Sequence, residues 1–177
     1  MTDYPKGPEE IAATISQIEA EMSELHLASF TADDARRLGL TLVRLAEERE
    51  LPVAIDVSRG DHTLFHVAMP GATRDNADWI RRKTATVLRY AEPSLLVGLR
   101  PRLKGRRIED DPWFDETAYA AHGGSFPVLV QSVGMVGTVT VSGLPQMDDH
   151  ALVVEGLRLV IAQTRAHGRV GHAEDLR

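Results

Sequence analysis

Three groups of residues in this chain have the types and spacing to do chemistry. The first is Ala121-His122-Gly123-Gly124-Ser125-Phe126-Pro127, an ionisable histidine followed by paired glycines. The second is Val133–Pro145, a β-rich run that closes on Ser142-Gly143-Leu144-Pro145, with Asp148, Asp149 and His150 just beyond. The third is Phe65-His66-Val67-Ala68-Met69-Pro70-Gly71-Ala72, where a strand carrying His66 runs into a Met-Pro-Gly break. His122 is a candidate general acid or base. Backbone N–H groups of Gly123-Gly124 and Ser142-Gly143 are candidate donors to an anion or a polarised carbonyl. His122, Asp149 and His150, with Asp148 and His66 nearby, are candidate metal ligands. No pair among His66, His122 and His150 has the His-x-x-x-His spacing of a helical metal motif. The glycines equally suit tight turns alone, His122 the ordering of a glycine-rich loop, and His150 packing in a first helical turn. No glycine-rich dinucleotide fingerprint, phosphate loop or Gly-x-Ser-x-Gly elbow is present.

The elements that must position these groups follow from hydrophobic spacing. Ile11, Ile15, Ile18 and Met22 predict a helix over about 9–23. Leu25–Phe30 reads as a short extended piece. Thr31 is placed to cap a helix whose stripe is Ala35, Leu38, Leu42, Leu45 and Ala46. Val53–Val57 and Thr63–Ala68 predict a β-hairpin turned by Ser58-Arg59-Gly60-Asp61. Asp75 or Asn76 is positioned to cap a helix from about Ala77 to Ala91, in which one of Arg81 or Lys83 reaches a pocket carboxylate. Ser94 begins an ambiguous segment, because Pro101 fits poorly inside a helix. A short helix is expected near Glu116–Ala121. Phe126–Gln131 and Val136–Val141 predict a second hairpin. A final helix opens at Asp148 and Asp149 and ends near Thr164, with Leu152, Val153, Leu157, Val160 and Ile161 on its core side. Hairpins interleaved with helices predict a layered α+β domain with a mostly antiparallel sheet of about five strands.

The chain has 177 residues, a size for one domain that buries roughly 70% of the surface its unfolded form exposes. The helix and strand of 1–30 belong to the same domain as 31–166, and a polar tail is expected over 167–177. The absence of cysteine excludes disulfides, thiolate metal sites and a Cys nucleophile, and suits a cytoplasmic protein. A formal net charge of -6 argues against nucleic-acid binding. No apolar run reaches membrane-spanning length, and the amino terminus lacks the apolar core of a signal peptide.

Trp79-Ile80-Arg81-Arg82-Lys83-Thr84, Tyr119–Gly124, Gly137–Gln146, Asp149–Val154 and Phe65–Ala72 resemble the uncharacterised branch of the haem-degrading-domain family, related to the HbpS and GlcG proteins. The resemblance covers about Thr31 to Gln163. It implies a profilin-like α-β-α sandwich and a homo-oligomer. It also implies a small-molecule ligand, with haem or iron as possible cofactor. The ligand would lie between the 69–72, 122–127 and 142–145 loops. Gly123, Gly124, Ser142, Gly143 and Lys83 carry over by position, while His66, Met69 and His122 are chosen for their chemistry. Three functions are consistent with these residues. The first is a small-molecule or tetrapyrrole-binding protein. The second is an enzyme with His122 as acid/base. The third is an interaction protein with Trp79, Trp113 or Phe114 at its interface.

Overall fold

The computed structural model describes residues 4–174, with side chains through 166. Five α-helices surround one five-stranded sheet: α1 (Pro8–Glu24), β1 (His26–Leu27), α2 (Ala32–Glu48), β2 (Ala54–Arg59), β3 (His62–Ala68), α3 (Arg74–Tyr90), α4 (Ser94–Leu103), β4 (Ser125–Val130), β5 (Gly134–Ser142) and α5 (Gln146–Glu174). The sheet order is β1-β4-β5-β2-β3. Only the two-residue β1 pairs in parallel; every other pairing is antiparallel. This is the α+β arrangement that the hairpin signals predicted.

The two faces of the sheet differ in chemistry. Ile55, Val57, Phe126, Val128, Val139 and Val141 point into the main core, against the stripes of α2 and α5. Strand alternation sends their neighbours the other way. Asp56, Ser58, Ser125, Thr138, Thr140 and Ser142 therefore line the opposite face, where all six are buried. Helix α3 packs against this polar face, touching β2, β4 and β5. Its contacts there include a hydroxyl chain, Thr84 Oγ1 to Thr140 Oγ1 at 2.8 Å and Thr140 Oγ1 to Ser125 Oγ at 2.7 Å. Helices α1 and α4 form a second apolar cluster through Ile11, Ile15, Ile18, Leu95, Leu96 and Leu99.

Several local expectations change. The cap of α3 is Thr73 rather than Asp75 or Asn76, so the helix starts three residues earlier than expected; the Thr73 N–H donates to Asn76 Oδ1 at 2.7 Å, so Asn76 completes a capping box. Pro101 sits in the last turn of α4, where the helix is about to end. No helix forms over 116–121. The Asp115 carboxylate takes the Thr117 N–H and hydroxyl, a local turn that competes with helix. Arg81 and Arg82 then pin the Thr117 and Glu116 carbonyls. Helix α5 outruns its expected end. The side chains of 167–174 and all of 175–177, the expected polar tail, lie outside the described residues. Phe114, offered as an interface residue, is buried, while Trp113 is partly exposed beside it.

Thr31 caps α2 as expected, accepting from the Asp34 N–H at 3.2 Å while its own N–H donates to Asp34 Oδ2 at 2.7 Å. Thr31→Ala removes one half of this box. Urea unfolding is expected to show a loss of about 1 kcal/mol with an unchanged m-value.

Candidate functional site

The expected pocket divides into two clefts. They share no lining residue, although α3 contributes to both. The first, about 320 Å³, lies where the first turns of α3 and α5 meet the loops before β4 and after β5. It gathers Lys83, His122, Gly123, Ser142, Gly143 and Asp149 from the sequence candidates, and adds Asp75, Asn76, Trp79 and Gln146.

Its floor is a buried ion pair. Lys83 follows Ile80 and precedes Val87 on the inward stripe of α3, so its side chain cannot avoid the interior. Its Nζ donates to Gly123 O at 2.9 Å, Val141 O at 2.6 Å and Asp149 Oδ2 at 3.0 Å. Three acceptors require three N–H bonds, which only the ammonium has. Asp149 in turn accepts from the Leu144 N–H at 3.0 Å and from the Gly143 N–H. Burial pulls Lys83 below the usual lysine range and pushes Asp149 above the usual carboxylate range; each partner's charge opposes the other's shift.

This geometry redefines the glycines. The Gly143 N–H, which looked ready for a ligand anion, is instead turned to the protein's own Asp149 carboxylate, which also takes the Leu144 N–H. The Gly123 N–H donates to Gln146 Oε1 at 3.3 Å. Gly124 adopts φ 117°, and a Cβ there would strike the Val141 carbonyl and the Lys83 ammonium. These glycines admit the ion pair; they do not form an open anion cradle.

His122 stands beside this floor, half-buried. Its ring meets Trp79 edge-on, with centroids 5.1 Å apart, and Arg82 stacks on Trp79 at 4.1 Å. Its Nδ1 is buried without a hydrogen-bond partner. Burial holds the imidazole below histidine's usual range; the Glu109 charge opposes this shift, and the charges of Lys83, Arg102 and Arg82 add to it. The ring is therefore a neutral donor/acceptor at neutral pH.

The remaining candidates lie elsewhere. Met69 is part of the main hydrophobic core rather than a pocket wall. His150 turns away from the cleft; its Nε2 meets Glu21 Oε2 at 3.0 Å and joins α5 to α1. His122, Asp149 and His150 thus do not converge, and no group of three or more His, Cys, Asp or Glu is placed to hold a metal ion among the described residues. His66 lines the second cleft, about 470 Å³, between α3 and the β2–β3 hairpin. Its Nδ1 is 3.2 Å from Asp56 Oδ2, and Ser58 Oγ donates to Asp56 Oδ1 at 2.6 Å. The Asp56 contribution was not legible: the pairing at the turn would set Asp56 opposite Phe65, and a register shift between Val57 and Ser58 brings it opposite His66.

Known proteins share this fold to differing degrees. Residues 30–158 match the family model described as haem degrading protein HbpS-like, and the chain belongs to that family. A UPF0303 protein of Streptomyces coelicolor is 53% identical over 163 residues, covering 92% of this chain and all of the relative. Among solved structures, the Ybr137w protein superposes with a TM-score of 0.77 at 32% identity, covering 85% of this chain and 88% of that one. A PduOC:heme complex shares the fold at TM-score 0.63 and 14% identity, covering 73% and 94% respectively. Among the described residues, no helix is long and apolar enough to cross a membrane.

Lys83→Met leaves Asp149 buried without its counter-charge, and a loss of about 3–5 kcal/mol is expected. Asp149 then has a folded pKa raised above its unfolded one. That deficit is smallest at low pH, where the carboxyl is protonated in both states, and grows as pH rises through the folded value. Urea titrations of both proteins across this range check the sign. A deficit that widens on acidification would contradict the pairing.

Proposed function

We propose that this protein binds a small polar molecule in the His122 cleft, as a self-associating cytosolic binding protein rather than an enzyme. The observation that carries this reading is a preformed cleft that gathers His122, Asn76, Ser142, Gln146 and Trp79 above a charged floor that is already paired. Asn76, Ser142 and Gln146 supply further polar contacts, and Trp79 an apolar one. The size falls at the small end of ligand pockets, which run about 300–1,000 Å³.

Catalysis by His122 is less well supported. Acyl-transfer chemistry needs free N–H donors aimed at a developing oxyanion. The Gly143 and Leu144 N–H groups beside the cleft are committed to Asp149. Haem also fits this cleft poorly. A tetrapyrrole favours apolar walls, whereas Asp75, Asn76, Ser142, Gln146 and the ion pair surround His122.

Native mass spectrometry of the protein isolated from its own host is expected to show a retained small-molecule adduct. His122→Ala and Gln146→Ala should each lose it while keeping the wild-type circular dichroism. An adduct-free wild type, or an adduct indifferent to both substitutions, would overturn the assignment. Light scattering tests the self-association directly, with a monomer counting against it.

A further inference from the structure

The His122 cleft has a hydrogen-bond polarity that defines the kind of molecule it takes. Two of its lining residues, Asn76 and Gln146, are half-buried carboxamides, and the protein fixes the orientation of each. Asn76 Oδ1 accepts from the Thr73 N–H at 2.7 Å and from the Thr73 hydroxyl at 3.1 Å, as part of the cap of α3. Gln146 Oε1 accepts from the Gly123 N–H at 3.3 Å. A backbone N–H is met only by the carbonyl end of an amide, so the NH2 end of each carboxamide is left over. Among the described residues, neither NH2 group has an acceptor. The cap of α3 and the loop before β4 thus leave the cleft with two neutral donors.

The charges around the cleft leave no place for an ion. Lys83 is matched by Asp149 in the floor. Asp75 is the remaining charged residue of the lining, and its Oδ2 accepts from Trp79 Nε1 at 3.0 Å. Helices α3 and α5 both begin here, and the positive ends of their dipoles favour negative charge. The protein supplies that charge itself, with Asp75 in the first turn of α3 and Asp148 and Asp149 in the first turn of α5. Arg82 stacks on Trp79 from outside the lining and is bonded to Asp78. An anionic ligand would face Asp75 with no unmatched cation in the lining. A cationic ligand would meet the two NH2 groups donor to donor. A neutral molecule with a carbonyl acceptor avoids both conflicts. Asp75 Oδ1 and the Ser142 hydroxyl, which have no partner among the described residues, can accept an N–H of the same molecule.

We propose that the His122 cleft takes a neutral carboxamide, whose carbonyl oxygen is read by the NH2 groups of Asn76 and Gln146 and whose N–H is taken by Ser142 or Asp75. This rests on the cleft being a ligand site and adds the class of ligand. Asn76 and Gln146 are its specificity-determining residues, because a site built from oriented donors rejects a molecule that cannot accept from them.

The test is a titration of the isotope-labelled full chain with benzamide, benzoate and benzylammonium, probes of nearly one shape and different charge. Trp79 and Leu144 offer apolar surface for their ring. Proton–nitrogen NMR follows the side-chain NH2 signals of Asn76 and Gln146, each identified by its loss in Asn76→Asp or Gln146→Glu. Benzamide is expected to shift both signals saturably and to bind at least about tenfold more tightly than either ion. Both substitutions keep an oxygen for the Thr73 or Gly123 N–H but turn the donor into an acceptor. Each should weaken benzamide binding about tenfold while the wild-type circular dichroism is kept. The preference among the three probes is read on the wild type and needs no variant to fold. Benzoate or benzylammonium binding as tightly as benzamide, or benzamide binding indifferent to both substitutions, overturns the carboxamide and leaves the cleft a ligand site. No response to any of the three probes overturns the proposal, and with an adduct-free wild type it overturns the His122 reading as well.

Discussion

One buried ammonium holds together the parts of this molecule that meet around its first cleft. Lys83 comes from α3, Gly123 from the loop before β4, Val141 from β5 and Asp149 from α5. Removing two charges from water costs several kcal/mol per ion, and attraction alone does not repay it. Here each donor of the ammonium has an acceptor, and the carboxylate has backbone donors as well. The pair is tolerable only with this complete set, which makes it a constraint on position more than a source of stability. Gly124 must lack a side chain, the Gly143–Leu144 turn must present its N–H groups inward, and Asp149 must fall in the first turn of α5.

That constraint orients α3 across the polar face of the sheet. One edge of the helix, through Asn76, Trp79 and Lys83, forms the first cleft, and the other, through Ile80, Thr84 and Leu88, forms the second. Between them the hydroxyls of Thr84, Thr140 and Ser125 pair with one another, so the polar sheet face is satisfied beneath the helix. The two histidines with chemical reach therefore serve separate surfaces. His122 is shielded and neutral beside an ion pair that has no capacity left. His66 is exposed and oriented by a carboxylate.

Much of the fold was legible because local signals agreed with one another. The stripe of α2, the cap at Thr31 and the turn at Gly60 all match the structure. The Glu116–Ala121 helix failed because Asp115 makes its own turn and two arginines hold the carbonyls. At the site, Lys83 was recognised as a residue able to reach a carboxylate. Its burial was also readable, since Ile80, Lys83 and Val87 share one helical stripe. The division into two clefts was not readable. His66 and His122 are adjacent to similar Gly-containing loops in sequence, and only the strand order β5-β2-β3 shows that His66 lies two strands further from the β5 end of the first cleft. Met69 illustrates the same limit: a methionine beside a Pro-Gly break suits a pocket rim as well as a core, and tertiary packing chose the core.

The most direct test of this arrangement is the Lys83 ammonium itself. Proton–nitrogen NMR of lysine-labelled protein at neutral pH should show one slowly exchanging ammonium signal, because a group with three fixed acceptors and no solvent exposure loses its protons slowly. The signal should vanish in Asp149→Asn or shift strongly. An absence of any protected ammonium in the folded wild type, or a Lys83 that titrates as a free amine near neutral pH, would contradict the saturated ion pair on which both clefts depend.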